Sequence, residues 1–552
     1  MSYRHRSMLR IVAAASLLMS LAAWSGAQAQ TTQDQTTKAT LEVVAENLDN
    51  PRGLSFAPDG SLYVAEAGRG GPADGVCRIG PEGPACYGAT GAITRITFDS
   101  TGTISQTRVL VNLPSLAAPD GPTAGGFATG PHDVSVLSNG DLYTVIGYGG
   151  LPVSRTVDLG PDGANFGQLV VRPGNYALPI NDADIAEYEQ QSNPDGQLID
   201  SNPYAVLALR DWRTVVDAGG NSLLAVLPDD TVLTLATFPT QTATIPPGVD
   251  ISVDSVPTSV AIGPDGAYYV GELTGFPFPV GGARVYRVVP GQPPEVYAEG
   301  FTNIIDLAFD SDGNLYVLEL VDEGLLQAQG PGGNLTGELL RVDAPSAPPP
   351  SPLTGTTVIT DGLLAPTSVA ISPNGGIYIS NSGVFSGTGQ VVRVDTCEGD
   401  PACTEPAALP APYTALARGQ NEVDSEGTPG LGDLDGVGPA IFTFDVAAGQ
   451  VCVQSQVIGI DPPTLAHIHR GDASTNGPVV VDFTSLINGT TISGCVTGVD
   501  AELIEEITTN PAGFYYNVHN PAYPAGAVRG QLGVGNTADS HLALPLLYRP
   551  LP

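Results

Sequence analysis

Apolar and polar residues alternate along "NPRGLSFAPDGSLYVAEAG" from Asn50, stop at an Asp-Gly pair, and alternate again. That is the pattern of two half-buried strands joined by a tight turn. It returns as "GPHDVSVLSNGDLYTVIGYG" from Gly130, "VPTSVAIGPDGAYYVGELTG" from Val256, "NIIDLAFDSDGNLYVLELVDEG" from Asn303 and "APTSVAISPNGGIYISNSG" from Ala365, with a degraded copy, "NPYAVLALRDWRTVVDAGGN", from Asn202. A third strand follows each of most copies ("GAITRITF", "NSLLAVLP", "ARVYRVV", "GELLRVD", "GQVVRVD"), and a fourth usually comes next. Four antiparallel strands per repeat make a propeller blade, and six repeats predict six blades. After Asp395 the chain runs into "TCEGDPACTEPAALPAP", too rich in proline for the missing fourth strand. The N-terminal "LEVVAENLDNP" echoes the fourth strand "PEVYAEGFTN", so it is expected to complete the last blade and close the ring.

The fold class expected is therefore all-β, with a six-bladed β-propeller over residues 41–396 and a second domain behind it. "APSAPPPSPL", residues 344 to 353, separates two strands of one repeat and reads as a long loop. "NDADIAEYEQQSNPDG" in the second repeat reads as an inserted short helix capped by Asn181 and ending before Asn193. A proline-rich linker, 397–412, leads to a stretch of different texture, 413–533, made of alternating strands without the propeller repeat. Residues 534–552 read as a tail whose apolar part is too short to span a membrane.

The first thirty residues change the picture of where the protein works. Arg4, Arg6 and Arg10 precede the apolar run "IVAAASLLMSLAAW" and the small-residue site "AQA". This predicts a signal peptide over 1–29, with cleavage after Ala29, followed by a segment, 30–40, that precedes the propeller. Export to the periplasm, the cell surface or the medium follows, with no transmembrane anchor after cleavage. The formal charge is −36 and Lys38 is the single lysine, so nucleic acid is not an expected partner. The chain has six cysteines, none in a CxxC pair, which suits structural disulfides in an oxidising compartment. Proximity in sequence pairs Cys77 with Cys86 and Cys397 with Cys403, leaving Cys452 with Cys495.

Candidate chemistry in the propeller gathers at the ends of the second strands. Glu66, Tyr148, Asp217, Glu272, Glu319 and Asn381 occupy comparable places, expected around one mouth of the central channel, with His132 and Asp133 at the start of a first strand. Converging carboxylates of this kind would hold calcium or meet a polar ligand. As plain structure they would be polar residues beside turns. No GxSxG, HExxH or strand-to-helix GxGxxG motif is present, so no nucleophile or cofactor motif argues for catalysis.

In the C-terminal stretch, "TLAHIHRG" read as a strand puts His467 and His469 on one face and Ala466 and Ile468 on the other; "GFYYNVHN" puts His519 opposite Phe514, Tyr516 and Val518. If the two strands are neighbours, the three imidazoles meet on one polar face, a ligand set for copper or zinc. The plainer role is hydrogen bonding to nearby loops.

Two resemblances add to this reading. The repeats, with "GPHDVSV" and "NPDGQLIDSNPYAVLALRDWRTVVDAGGNSLLAV", resemble the ScyD/ScyE family of exported, NHL-like six-bladed propellers named for scytonemin biosynthesis, over about residues 41 to 396. "AHIHRG", "NGPVVVDF", "YYNVHN" and "PAGAVRGQL" resemble the CHRD domain first described in chordin, which implies a β-sandwich-like module. A fold does not fix a function. The function expected is extracytoplasmic binding or assembly, with a small molecule or protein as ligand, through the propeller mouth and the CHRD module. Two alternatives stand beside it: a calcium-assisted propeller hydrolase or oxidoreductase acting on a small metabolite, and a metal-binding CHRD module.

Overall fold

The computed structural model describes residues 39–537 except 81–82, 175, 177, 246–247, 331, 346–351 and 398–402. The expected signal peptide and nearly all of the tail lie outside them. Among the described residues no helix is long and apolar enough to cross a membrane.

The alternating segments form six antiparallel blades around a common centre. Their innermost strands are Pro51–Phe56, Pro131–Val136, Pro203–Ala208, Pro257–Ile262, Ile304–Phe309 and Ser368–Ile371, and each packs against the next until the sixth meets the first. The last blade is closed as expected: Thr40–Leu48 pairs antiparallel with Gly389–Asp395, from Thr40 opposite Asp395 to Leu48 opposite Gly389. The two ends of the propeller thereby share one sheet, leaving no open seam in the ring. The Asp-Gly or Asn-Gly turns put glycine at positive φ, for example Gly60 at 81° and Gly313 at 83°, where other residues are strained. Asp310, whose surroundings look like the start of a calcium loop, instead accepts the amides of Asp312 and Asn314 in such a turn.

Side chains on the inner strands stitch neighbouring blades together. Asp133 Oδ2 accepts the Val206 amide at 2.8 Å, Thr258 donates to the Ile304 carbonyl at 2.8 Å, and Asp306 accepts the Val369 amide at 2.9 Å and the Ser368 hydroxyl at 2.5 Å. Ser368 in turn accepts the Leu54 amide at 2.9 Å. Gly53 leaves room for this stitching, because a Cβ there would stand 1.9 Å from Asp133 Oδ1.

Local departures have physical causes. The inserted helix is Ile185–Ser192, capped by Asp184, whose side chain accepts the Glu187 amide; Asn181 lies instead in the strand Ile180–Asp184, the fourth of its blade. The first blade extends a long hairpin, Gly83–Phe98 with Ile104–Ala117, beyond the repeat. A further hairpin, Gln241–Ile245 with Val249–Val253, lies between the third and fourth blades. The three disulfides are Cys77–Cys86, Cys397–Cys403 and Cys452–Cys495.

The C-terminal domain is sandwich-like through the curling of one ten-stranded sheet rather than the stacking of two. Its concave side buries Ala415, Phe442, Val453, Ile468, Tyr516 and Val528 around one core. The helix Ala501–Thr509, capped by Asp500, adds Ile504 and Ile507 to that core. The other side of the sheet lies on the propeller. Ile441, 1% exposed, joins the cluster of Trp212, Tyr268 and Val270, while Arg418 pairs with Asp229 at 2.8 Å and Gln454 donates to the Asp265 carbonyl at 3.0 Å.

A candidate three-histidine metal site

The strand Leu465–Arg470 pairs antiparallel with Phe514–His519, with Leu465 opposite His519, His467 opposite Asn517 and His469 opposite Tyr515. Alternation then puts the three histidines on one face, while Ala466, Ile468, Tyr516 and Val518 anchor the other in the core. Among the described residues they are the one group of three or more His, Cys, Asp or Glu side chains placed to hold an ion, with ligating atoms all within 4.8 Å of one another.

The outer nitrogens are all engaged with acceptors. His469 Nδ1 lies 3.0 Å from the Gly477 carbonyl and His519 Nδ1 3.2 Å from the Pro524 carbonyl. Carbonyl oxygens only accept, so both rings carry their proton on Nδ1 and turn an unprotonated Nε2 inward. His467 is oriented the other way: its Nε2 is 3.6 Å from Asp482 Oδ1, and its Nδ1 faces His519 Nε2 at 3.4 Å. With the His467 proton on Nε2, toward Asp482, three lone pairs point into one space. His469 Nε2 is buried without a hydrogen-bond partner.

A tetrahedral ion bound at about 2.0–2.1 Å from each nitrogen needs nitrogens about 3.3 Å apart. The His467–His519 pair already has that spacing. Metal-ligating histidines commonly direct their other nitrogen to a carbonyl or carboxylate, which fixes ring orientation and tautomer. Gly477 and Pro524 supply the carbonyls here, and Asp482 the carboxylate.

Packing holds the rings in place. The His469 ring stacks on Tyr515 with centroids 4.8 Å apart and planes 12° apart, and the Arg529 guanidinium covers Tyr515 at 3.5 Å. The Tyr515 hydroxyl accepts the Gly477 amide at 3.2 Å, so the residue that orients His469 is itself held. Gly477 cannot be larger, because a Cβ would stand 1.5 Å from the Arg470 carbonyl oxygen. Burial depresses the pKa of all three imidazoles, that of His519 to about 4 with the neighbouring His467 adding to the effect. They are neutral at physiological pH, as metal ligation requires.

The propeller residues are arranged differently. Five of the six residues ending second strands reach back to the segment entering their own blades. Glu66 accepts the Asp49 amide at 2.8 Å, Asp217 the Asn202 amide at 2.6 Å, Glu319 the Thr302 amide at 2.7 Å, and Asn381 Oδ1 the Leu364 amide at 2.8 Å. Glu272 accepts the Ser255 hydroxyl at 2.7 Å and the Gln241 side chain at 2.5 Å. Glu66 also receives Arg108, at 2.5 Å. At Tyr148 the side chain is an aromatic one, bonded through its hydroxyl to Ser154 at 2.8 Å. No three of these carboxylates close around one point among the described residues. His132 lies 3.2 Å from the Pro203 carbonyl and against the Tyr204 ring, with burial lowering its pKa to about 3; Asp133 is committed to the blade joint.

Sequence alone pointed to the three imidazoles but not to what orients them. Asp482 lies opposite His467 across a strand pair, which pairing register reveals and sequence spacing does not. Backbone carbonyls at Gly477 and Pro524 have no residue-type signature at all.

Comparison with known proteins divides along the same line as the architecture. No curated protein matches the sequence. Similar solved structures include streptogramin B lyase (10% identity, TM-score 0.33, spanning 65% of this chain and 98% of that one), regucalcin from Agrobacterium tumefaciens (11%, 0.34, 66% and 97%) and PQQ-bound aldose sugar dehydrogenase from Streptomyces coelicolor (13%, 0.37, 65% and 99%). The propeller's own chemistry takes nothing from likenesses this distant. The histidine-bearing sheet has a family of its own: residues 413–532 match the CHRD domain and are a CHRD domain.

Proposed function

We propose that this protein binds a transition metal, zinc or copper, outside the cytoplasm through His467 Nδ1, His469 Nε2 and His519 Nε2 of its CHRD domain. The observation that carries the reading is the orientation of the rings. Every outer nitrogen faces an acceptor, an arrangement in which every inner one can present a lone pair to a shared space. Imidazole suits both metals, and three protein ligands leave a coordination position for water or a small ligand. Three disulfides are consistent with an extracytoplasmic location. In this reading the amino-terminal segment directs export and the propeller is the rigid body on which the metal module is mounted. Its resemblance to ScyD/ScyE proteins supports a six-bladed scaffold and lends no activity.

Titration of the chelator-stripped full chain with Cu²⁺, followed by electron paramagnetic resonance, tests the assignment. Hyperfine structure from coordinated imidazole nitrogens at one equivalent supports it. A spectrum unchanged when His467, His469 and His519 are all replaced by alanine would count against it.

A further inference from the structure

A second site with opposite chemistry lies on the propeller. The second strand of the third blade ends at Asp217, and the chain turns through Gly219, Gly220 and Asn221. The inserted helix lays Glu189 against this turn: a Cβ on Gly220 would stand 2.7 Å from Glu189 Oε2 and 3.3 Å from Asp217 Oδ2. Asn221 donates to Asp195 Oδ2 at 3.0 Å, and the Asp200 backbone packs on Gly219, where a Cβ would stand 2.9 Å from the Asp200 carbonyl carbon. Glu189, Asp217 and Asp195 therefore border one turn with their carboxylates, and Asp200 adjoins it through its backbone.

They are not equally satisfied. Asp217 accepts the amides of Asn202, Gly219 and Gly220 and the Ser201 hydroxyl, and Asp195 accepts the Gln197 amide and Asn221. Glu189 is 2% exposed, yet no donor in the protein reaches its Oε1. Asp200 Oδ1, Asn193 Oδ1 and Gln190 Oε1 are buried without a donor as well; no buried side-chain donor within residues 189–200 is unsatisfied, while the Ser222 hydroxyl just past the turn is. Burial, then the charges of Asp217, Asp195 and Asp200, push the Glu189 carboxyl up to about 8. The cation that acts on Asp200 is Arg78, whose Nη2 donates to the carbonyls of Tyr148 and Gly149 and whose Nε is buried without a partner.

Buried carboxylate oxygens without donors are costly unless a cation compensates them. A surplus of oxygen acceptors alone suits a hard ion and gives nothing to a zinc- or copper-like one. We propose that one calcium ion binds beside the Gly219–Asn221 turn through the carboxylates of Glu189 and Asp200. Carbonyl oxygens of the same loop and water complete the shell. Calcium tolerates about six to eight oxygens in a loose geometry, which suits carboxylates that do not close on a single point as the imidazole nitrogens do. The site is independent of the three histidines.

The test is calorimetric titration of the chelator-treated full chain with calcium chloride alone, paired with thermal unfolding in calcium and in a chelator. The proposal predicts one calcium per chain and a higher Tm with calcium, retained when His467, His469 and His519 are all alanine. Glu189→Gln should weaken calcium binding at least tenfold, while its Tm in chelator stays at or above that of the parent, because a neutral amide escapes the surrounding charges. Asp200→Asn provides the same comparison should the first variant not fold. A parent chain with neither a calcium heat nor a calcium-dependent Tm overturns the proposal, as does calcium binding of parental strength in the folded variants.

Discussion

His467 Nδ1 faces His519 Nε2 at 3.4 Å; the Pro524 carbonyl behind His519 leaves a lone pair on its Nε2, and the Asp482 carboxylate 3.6 Å from His467 Nε2 favours the tautomer that leaves one on His467 Nδ1 as well. Two lone pairs at that distance repel unless a proton or a metal lies between them. Without a metal, a neutral His467 with its proton on Nδ1 donates it to His519 Nε2, and metal binding replaces that proton by moving it to Nε2 beside Asp482.

The carboxylate behind His467 should matter for affinity rather than for fold. Asp482 is largely exposed, with 65% of its side chain open to solvent, and its substitution removes no core contact. Asp482→Asn should weaken zinc or copper binding about 10–100-fold while leaving Tm in the absence of metal nearly unchanged. Competition against a chromophoric chelator measures the first and thermal unfolding the second.

Glu319 and Glu272 make the propeller's stability depend on pH. Burial raises their folded-state carboxyl pKa to about 8 and about 7, against an ordinary value of 4.5. With the folded pKa above the unfolded one, the folded state holds the proton more tightly. Their contribution is fully present below about pH 4.5 and is lost as pH rises toward 8. Denaturant unfolding should show stability falling across that window, and Glu319→Gln should flatten the fall.

Both the ring closure and the metal face illustrate what sequence patterns convey. Strand parity alone separated His467 and His469 from Ala466 and Ile468, and the echo of a fourth strand in residues 41 to 51 located the partner of Gly389–Asp395. Periodicity reports which way a side chain faces, not what it meets. Glu66, Asp217 and Glu319 recur at matching places because each clasps the entry to its own blade, a local task that gives the same spacing as a shared site would. The docking of the CHRD sheet on the propeller escaped notice for a related reason. Ile441 reads as one more alternating apolar residue, and only the fold reveals that its face covers Trp212 and Tyr268.

That contact predicts that the propeller and the CHRD domain unfold together. Ile441→Ala should cost about 2–5 kcal/mol, as for other large-to-small changes at buried sites. Calorimetry should give one transition in the parent chain, lowered as a whole in the variant. Two separate transitions, with only the smaller one moved, would show that the interface does not couple them.

Cys452 and Cys495 are 43 residues apart and join two paired strands of the CHRD sheet. Replacing both with alanine should reduce stability by about 2–4 kcal/mol, mainly by freeing the unfolded chain. Denaturant midpoints of the parent and the double variant measure this, and metal content should be retained because the disulfide lies on strands other than the two that carry the histidines.

Metal content of the full-length protein, produced without a tag or chelators and measured by mass spectrometry beside the triple variant His467→Ala, His469→Ala, His519→Ala, tests the central claim most directly. The account predicts close to one equivalent of zinc or copper in the parent and none in a variant that remains folded. Absence of both metals from a parent that also fails to take them up when they are supplied, or equal content in the two proteins, would contradict it.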